Sequence, residues 1–176
     1  MLTTVCGDQK GNLYLSGSFD GYCYFNNTLV PSIGNSNFFL IKTNLLGDVQ
    51  WISRGNGTIT SSATDKNGNL FVGGYFNGKL KWGGYNLKST NGNNSFLAKI
   101  NYSGDPVWVT QIKGKTDNEI KSIDIDPTGI LWTGGTFSSE IQLGGQYLNS
   151  HGKEDIFLGK FDFIFYFGLV VFCTGL

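Results

Sequence analysis

Few side chains in this sequence have the types and spacings that chemistry requires. Asp124 and Asp126 stand two apart on Ile120–Asp126, a run that alternates apolar and polar, so a strand there would put both carboxylates on one face. Glycoside hydrolysis needs two carboxylates about 5–10 Å apart across a substrate. The matching places in two similar segments hold Ala63 with Asp65 and Cys6 with Asp8, so solvated or turn-capping roles fit the pair better. His151, the single histidine, lies in the polar stretch Asn149-Ser150-His151-Gly152-Lys153 and has no triad or metal-site partner in view. Asp65-Lys66-Asn67-Gly68-Asn69 opens like a calcium loop, but Gly74 stands where the bidentate glutamate belongs, and a turn is the better reading. The three cysteines, Cys6, Cys23 and Cys173, have no metal-ligand spacing. They read as small hydrophobes, with a Cys6–Cys23 bridge open if those two lie on neighbouring strands. The pairs Gly73-Gly74, Gly83-Gly84, Gly134-Gly135 and Gly144-Gly145 precede no helix that could hold a phosphate. Asn26, Asn56, Asn93 and Asn101 each begin a glycosylation-type triplet, which an Asn- and Ser/Thr-rich chain also produces by chance. No catalytic, metal or cofactor-binding residue is assigned, no cofactor is called for, and the ligand-binding residues stay unknown.

The elements that would position any site are more legible. The chain has 176 residues, enough for about one domain, with 26 glycines against 3 prolines, which argues for many tight turns. Thirteen basic residues balance thirteen acidic ones with no Lys/Arg block, which excludes the basic footprint of a nucleic-acid binder or a polybasic membrane-surface protein. No secretory signal begins the chain. Its longest apolar run, 163–176, is shorter than the ~20 residues of a spanning helix, which argues against a membrane partner.

Internal repetition decides the architecture. Gly11-Asn12-Leu13-Tyr14 recurs as Gly68-Asn69-Leu70-Phe71 and as Gly129-Ile130-Leu131-Trp132. Gly17-Ser18-Phe19 recurs as Gly74-Tyr75-Phe76 and Gly135-Thr136-Phe137; Phe39-Leu40-Ile41-Lys42 recurs as Phe96-Leu97-Ala98-Lys99 and Phe157-Leu158-Gly159-Lys160. Gly47-Asp48-Val49-Gln50-Trp51 recurs once, as Gly104-Asp105-Pro106-Val107-Trp108. One register fits every anchor, with offsets of 57 and then 61 residues, the four extra falling around Gly114–Asn118. Each copy reads as short strands separated by turns: Asp126-Pro127-Thr128-Gly129 suits a type I turn, Gly83-Gly84 turns a hairpin, and a Gly/Asn-rich loop precedes a strand at Ser95–Ile100. No window shows a sustained helical period, so almost no helix is expected. Repeats of this size and pattern predict an all-β fold of tandem antiparallel four- to five-stranded blades, an incomplete β-propeller. Matched aromatics (Phe19, Phe76, Phe137; Trp51, Trp108) would fill the layers between blades.

Taken together, D-x-x-G-N-L-Y-x-x-G-x-F followed by F-L-x-K-x-x-x-x-G-D-x-x-W resembles the SBBP-type β-propeller repeat, over about residues 3–162. The resemblance implies a propeller, an extracellular or cell-surface setting, and protein or glycan interaction; it supplies no catalytic residues. Blades are expected at about 1–57, 58–118 and 119–162, with 163–176 an atypical apolar tail that packs poorly and carries no site. The compartment is not readable from the chain itself. The function expected is non-enzymatic binding or display by a piece of a larger extracellular protein, whose partners are a protein or glycan and further blades of the same or another chain. The alternatives are a fragment of a glycan-cleaving propeller, or a truncated or frame-shifted product without independent function.

Overall fold

The computed structural model describes residues 1–34 and 36–161, and the backbone of 168–173. It is all-β, 69% strand, with no helix among the described residues. The first repeat supplies β1 (Leu2–Gly7), β2 (Leu13–Phe19), β3 (Tyr22–Phe25), β4 (Thr28–Pro31), β5 (Asn37–Thr43) and β6 (Val49–Asn56). The second supplies β7 (Thr58–Thr64), β8 (Leu70–Trp82), β9 (Tyr85–Ile100) and β10 (Pro106–Gly114). The third supplies β11 (Asn118–Ile125), β12 (Leu131–Phe137), β13 (Glu140–Leu143), β14 (Gln146–Asn149), β15 (Asp155–Phe161) and β16 (Gly168–Cys173). The sheet orders are β1-β2-β5-β6, β14-β13-β10-β9-β8-β7 and β11-β12-β15-β16, with β3-β4 a separate hairpin; none of the sheets closes on itself.

The repetition extends to local irregularities. The first strand pair of every repeat carries a register shift at the same place: between Leu2 and Thr4, Ile59 and Ser61, and Ile120 and Ser122. This explains one matched glycine. A Cβ on Gly17, Gly74 or Gly135 would strike the carbonyl oxygen of Met1, Thr58 or Glu119 respectively, so the bulged strand lies where a side chain would stand. The turn after each first strand is also shared. The Asp8, Asp65 and Asp126 carbonyls accept from the Gly11, Gly68 and Gly129 amides at 2.8–3.0 Å.

The middle sheet is buried on both faces, and its period of two sends neighbouring residues in opposite directions. Leu70, Val72, Phe76 and Phe96 join Tyr14, Phe38 and Leu40 of the first sheet in one core. Phe71 and Leu97 join Ile120, Ile123, Leu131, Phe137 and Phe157 of the third in another. Gly73 leaves the room that Ile120 and Ile123 occupy, their methyl carbons 2.8 and 2.9 Å from where its Cβ would be. Of the matched aromatics, Phe76 and Phe137 are buried in these two cores, Trp51 and Trp108 pack against them partly buried, and Phe19 is half-buried against Phe39 outside both.

First strands of successive repeats also lie beside one another. Thr4 and Ser62 hydroxyls meet at 3.0 Å, Thr64 Oγ1 donates to the Gly7 carbonyl at 2.8 Å, and Thr60 Oγ1 donates to the Ile120 carbonyl at 2.6 Å. The Ile123 amide donates to Ser61 Oγ at 3.1 Å.

Two details differ from the sequence expectation. The Gly/Asn-rich stretch before Ser95 lies within one strand, β9, whose pairing with β8 is interrupted by a register shift: Asn94 and Asn93 oppose Phe76 and Asn77, the next pair is Lys88 with Lys79, and Ser89–Gly92 between them have no partner on β8. At Asn93 and Asn94 ladder pairing satisfies backbone groups that a loop would leave to water. And the third repeat's hairpin joins the second repeat's sheet: β10 pairs with β13 at Lys113↔Gln142 and Gly114↔Ile141, and the Lys115 amide donates to the Glu140 carbonyl. The four extra residues thus sit at this junction. The poorly packed apolar tail expected at 163–176 falls largely outside the described residues; the backbone of Gly168–Cys173 forms β16, hydrogen-bonded along β15 at the edge of the third sheet.

Candidate functional site

Each repeat places a lysine opposite an aromatic on adjacent strands: Lys42 with Tyr14, Lys99 with Phe71, Lys160 with Trp132. The ammonium-to-ring distances are 5.6, 5.6 and 5.9 Å, within cation–π reach. In the first two repeats a tryptophan stands on the lysine's other flank, since Lys42 pairs with Trp51 and Lys99 with Trp108. Opposed residues share a face, so Tyr14, Lys42 and Trp51 form one row across the first sheet.

The second repeat completes this row. Asn101–Asp105 is a tight turn in which Asn101 Oδ1 accepts from the Ser103 and Asp105 amides, both at 2.9 Å. Gly104, at φ 91°, lies so close beneath Trp51 that a Cβ would come within 2.7 Å of the indole. Trp51 Nε1 donates to the Tyr102 carbonyl at 2.9 Å, and the Tyr102 ring comes to 4.0 Å from Lys42 Nζ. Lys42 is only 3% exposed, and its ammonium makes no ion pair with a described residue. Lys42, Gln50, Trp51, Tyr102 and Ser103 line a pocket of about 280 Å³ that opens to solvent on one side. Burial and the hydrogen bond that Tyr14 donates to Asp8 both push the Tyr14 phenol well above its ordinary value, so it stays protonated.

The residues weighed from sequence sit elsewhere, and most are committed to local structure. Asp126 Oδ1 accepts from the Thr128 and Ile130 amides and the Thr128 hydroxyl, and Oδ2 from Trp132 Nε1. The Thr128 hydroxyl foremost, then Trp132, hold its carboxyl well below the usual range, which unsuits it as a general acid. Asp124 is exposed and accepts from the Ile125 amide. Asp65 accepts from the Asn67 and Asn69 amides and from Asn69 Nδ2, the work of a turn. His151 is exposed, its backbone amide bonded to Asp155.

Cys6 and Cys23 are free thiols. Cys6 lies on β1, which pairs with β2, and Cys23 on β3, which pairs with β4, so the neighbouring-strand condition for a bridge is not met. Burial raises both thiol pKa values, keeping them protonated and unreactive. The Cys173 side chain lies outside the described residues. Gly83-Gly84 and Gly144-Gly145 are hairpin turns with positive φ, while Gly73-Gly74 and Gly134-Gly135 lie within strands. Of the triplet asparagines, Asn56 is buried, Asn93 donates to Glu119, Asn101 builds its turn, and Asn26 is exposed at the β3–β4 turn.

The Lys42 row was in the sequence as a recurring lysine inside an otherwise apolar strand, a signal that marks a buried cation without saying what faces it. Compared with known proteins, the chain matches no family model and no curated protein sequence.

Proposed function

We propose that the chain is a run of three propeller blades, of the SBBP-type class it resembles, serving non-enzymatic binding or display outside the cell. The observation that carries this reading is the shared geometry of successive repeats. Their first strands lie side by side, joined by Thr4–Ser62 and Ser61–Ile123 contacts, while the hairpins of the second and third repeats pack on the last strand of the repeat before them. Trp82 bonds Ser53 across the first junction and β13 pairs with β10 across the second. Sheets stacked in this same way, one repeat on the next, are what a propeller would be built from.

The outer faces support further blades as partners. Leu13 is 46% exposed where Leu70 and Leu131 are 2% and 0%, and Leu158 is 37% exposed where Leu40 and Leu97 are 0%. These positions are apolar because the same position elsewhere is covered by the next sheet. At tens of micromolar, light scattering should therefore give a mass above that of the single chain; a stable monomer would sink the blade reading. Binding is tested separately on an array of neutral glycans, acidic glycans and peptides, where retention of at least one class is expected and retention of none overturns the binding role.

A further inference from the structure

We infer that the pocket between the first two repeats, lined by Lys42, Gln50, Trp51, Tyr102 and Ser103, is a subsite for an acidic sugar, its carboxylate on the Lys42 ammonium. This rests on the binding reading above and names a ligand class for it. A lysine that is 3% exposed has given up most of its hydration, and such a charge is stable only beside a compensating partner. Two rings, Tyr14 and Tyr102, supply part of that compensation from their faces, at 5.6 and 4.0 Å. No described carboxylate supplies the rest: the ion pairs among the described residues are Lys115–Glu140 and Lys121–Glu119. Lys42 is among the residues lining a pocket open to solvent, which gives an anion a path toward its side chain.

The remaining lining selects among anions. Tyr102 is 80% exposed, an apolar ring held out on a tight turn, and Trp51 is anchored beside it by the Nε1 bond to the Tyr102 carbonyl. Gln50 and Ser103 add an amide and a hydroxyl, both exposed. A sugar ring has a C–H face that stacks on such rings and a hydroxyl rim that bonds such groups, and a uronic acid adds the carboxylate. Inorganic phosphate would engage the ammonium alone and leave the ring face unused. On the side of the turn, Gly104 is packed against the Trp51 indole.

The test titrates the whole chain with tetragalacturonate, with its fully methyl-esterified form, and with a peptide ending in Glu, by calorimetry and amide chemical-shift mapping. Tetragalacturonate should bind with a millimolar or tighter constant and shift the Asn101–Asp105 amides, and the ester should bind at least tenfold more weakly. Tyr102→Ala, a surface change, and Lys42→Met, which keeps the apolar stem, should each weaken the acid at least fivefold, with folding checked by the unchanged amide spectrum elsewhere. Equal binding of acid and ester, acid binding that Tyr102→Ala leaves intact, or no shift at 101–105 would each overturn the proposal. Tighter binding of the peptide would reassign the pocket to proteins and overturn the sugar. Neutral glycans retained on the array without any acidic preference would defeat this subsite and leave the binding role standing.

Discussion

A glycine's importance here depends on what its missing Cβ would meet. Gly74 and Gly134 belong to neighbouring places in equivalent Gly-Gly pairs, yet their surroundings differ. A Cβ on Gly74 would collide with the Thr58 carbonyl oxygen at the bulge, whereas one on Gly134 has nothing nearer than the Phe157 carbonyl at 3.9 Å. Gly74→Ala should cost about 3 kcal/mol, while Gly134→Ala should stay within about 1 kcal/mol, measured by denaturant melts. Similar losses at both sites would refute the bulge account. The turn aspartates give a pH signature. Burial works to raise the Asp8 pKa, but hydrogen bonds from Asn12, Tyr14 and Lys10 together outweigh it, and the net shift is downward, as it is for Asp126. A carboxyl whose folded pKa lies below its unfolded value of ~3.9 stabilises the fold fully above that value, and this contribution is lost as pH falls through the folded pKa. Melting temperature should therefore hold level from pH 5 to 7 and drop below about pH 4. Asp126→Asn should flatten that acid slope; an unchanged slope would mean that other groups govern it.

At the scale of elements, the junction between the first two repeats is built from aromatics on three strands. Phe38 meets Trp82 edge to face at 4.8 Å, and Phe96 lies 6.3 Å from both. Ring pairs of this geometry are worth about 0.5–1.5 kcal/mol beyond burial. A double-mutant cycle of Phe38→Leu and Trp82→Leu should return a coupling of that size, and strict additivity would show that the rings contribute area alone. The turn before the last strand of the first two repeats is a smaller device: Asn44 Oδ1 accepts from the Leu46 and Asp48 amides, as Asn101 Oδ1 does from the Ser103 and Asp105 amides. Asn44→Ala should cost about 1 kcal/mol of stability.

For the whole molecule, the decisive quantity is the apolar surface left at the two outer sheets. Leu158 is exposed where its counterparts Leu40 and Leu97 are buried, and Val5 is exposed where Ser62 is half-buried and Ile123 buried. Val5→Lys or Leu158→Lys should each lower the light-scattering mass toward that of one chain. Leu46→Lys, on an exposed turn, should leave it unchanged. If all three behave alike, association does not use the faces where sheets stack.

The strand composition, the turns and the three-fold repetition are legible in the residues alone, because period-two alternation, Asp-x-x-Gly turns and Gly-Gly hairpins act over a few residues. The 61-residue offset likewise marked an irregularity near Gly114. What the irregularity does was not readable: β10 and β13 meet only because two repeats are packed side by side. The same limit applied to Asn93 and Asn94, which sit in a Gly/Asn-rich stretch that suggests a loop locally but pair with Asn77 and Phe76 of β8 in the sheet. It also applied to Lys42. Its recurrence was visible, but the Tyr102 ring over its ammonium comes from a turn 60 residues further along the chain, and only the stacking of one sheet on the next brings the two together.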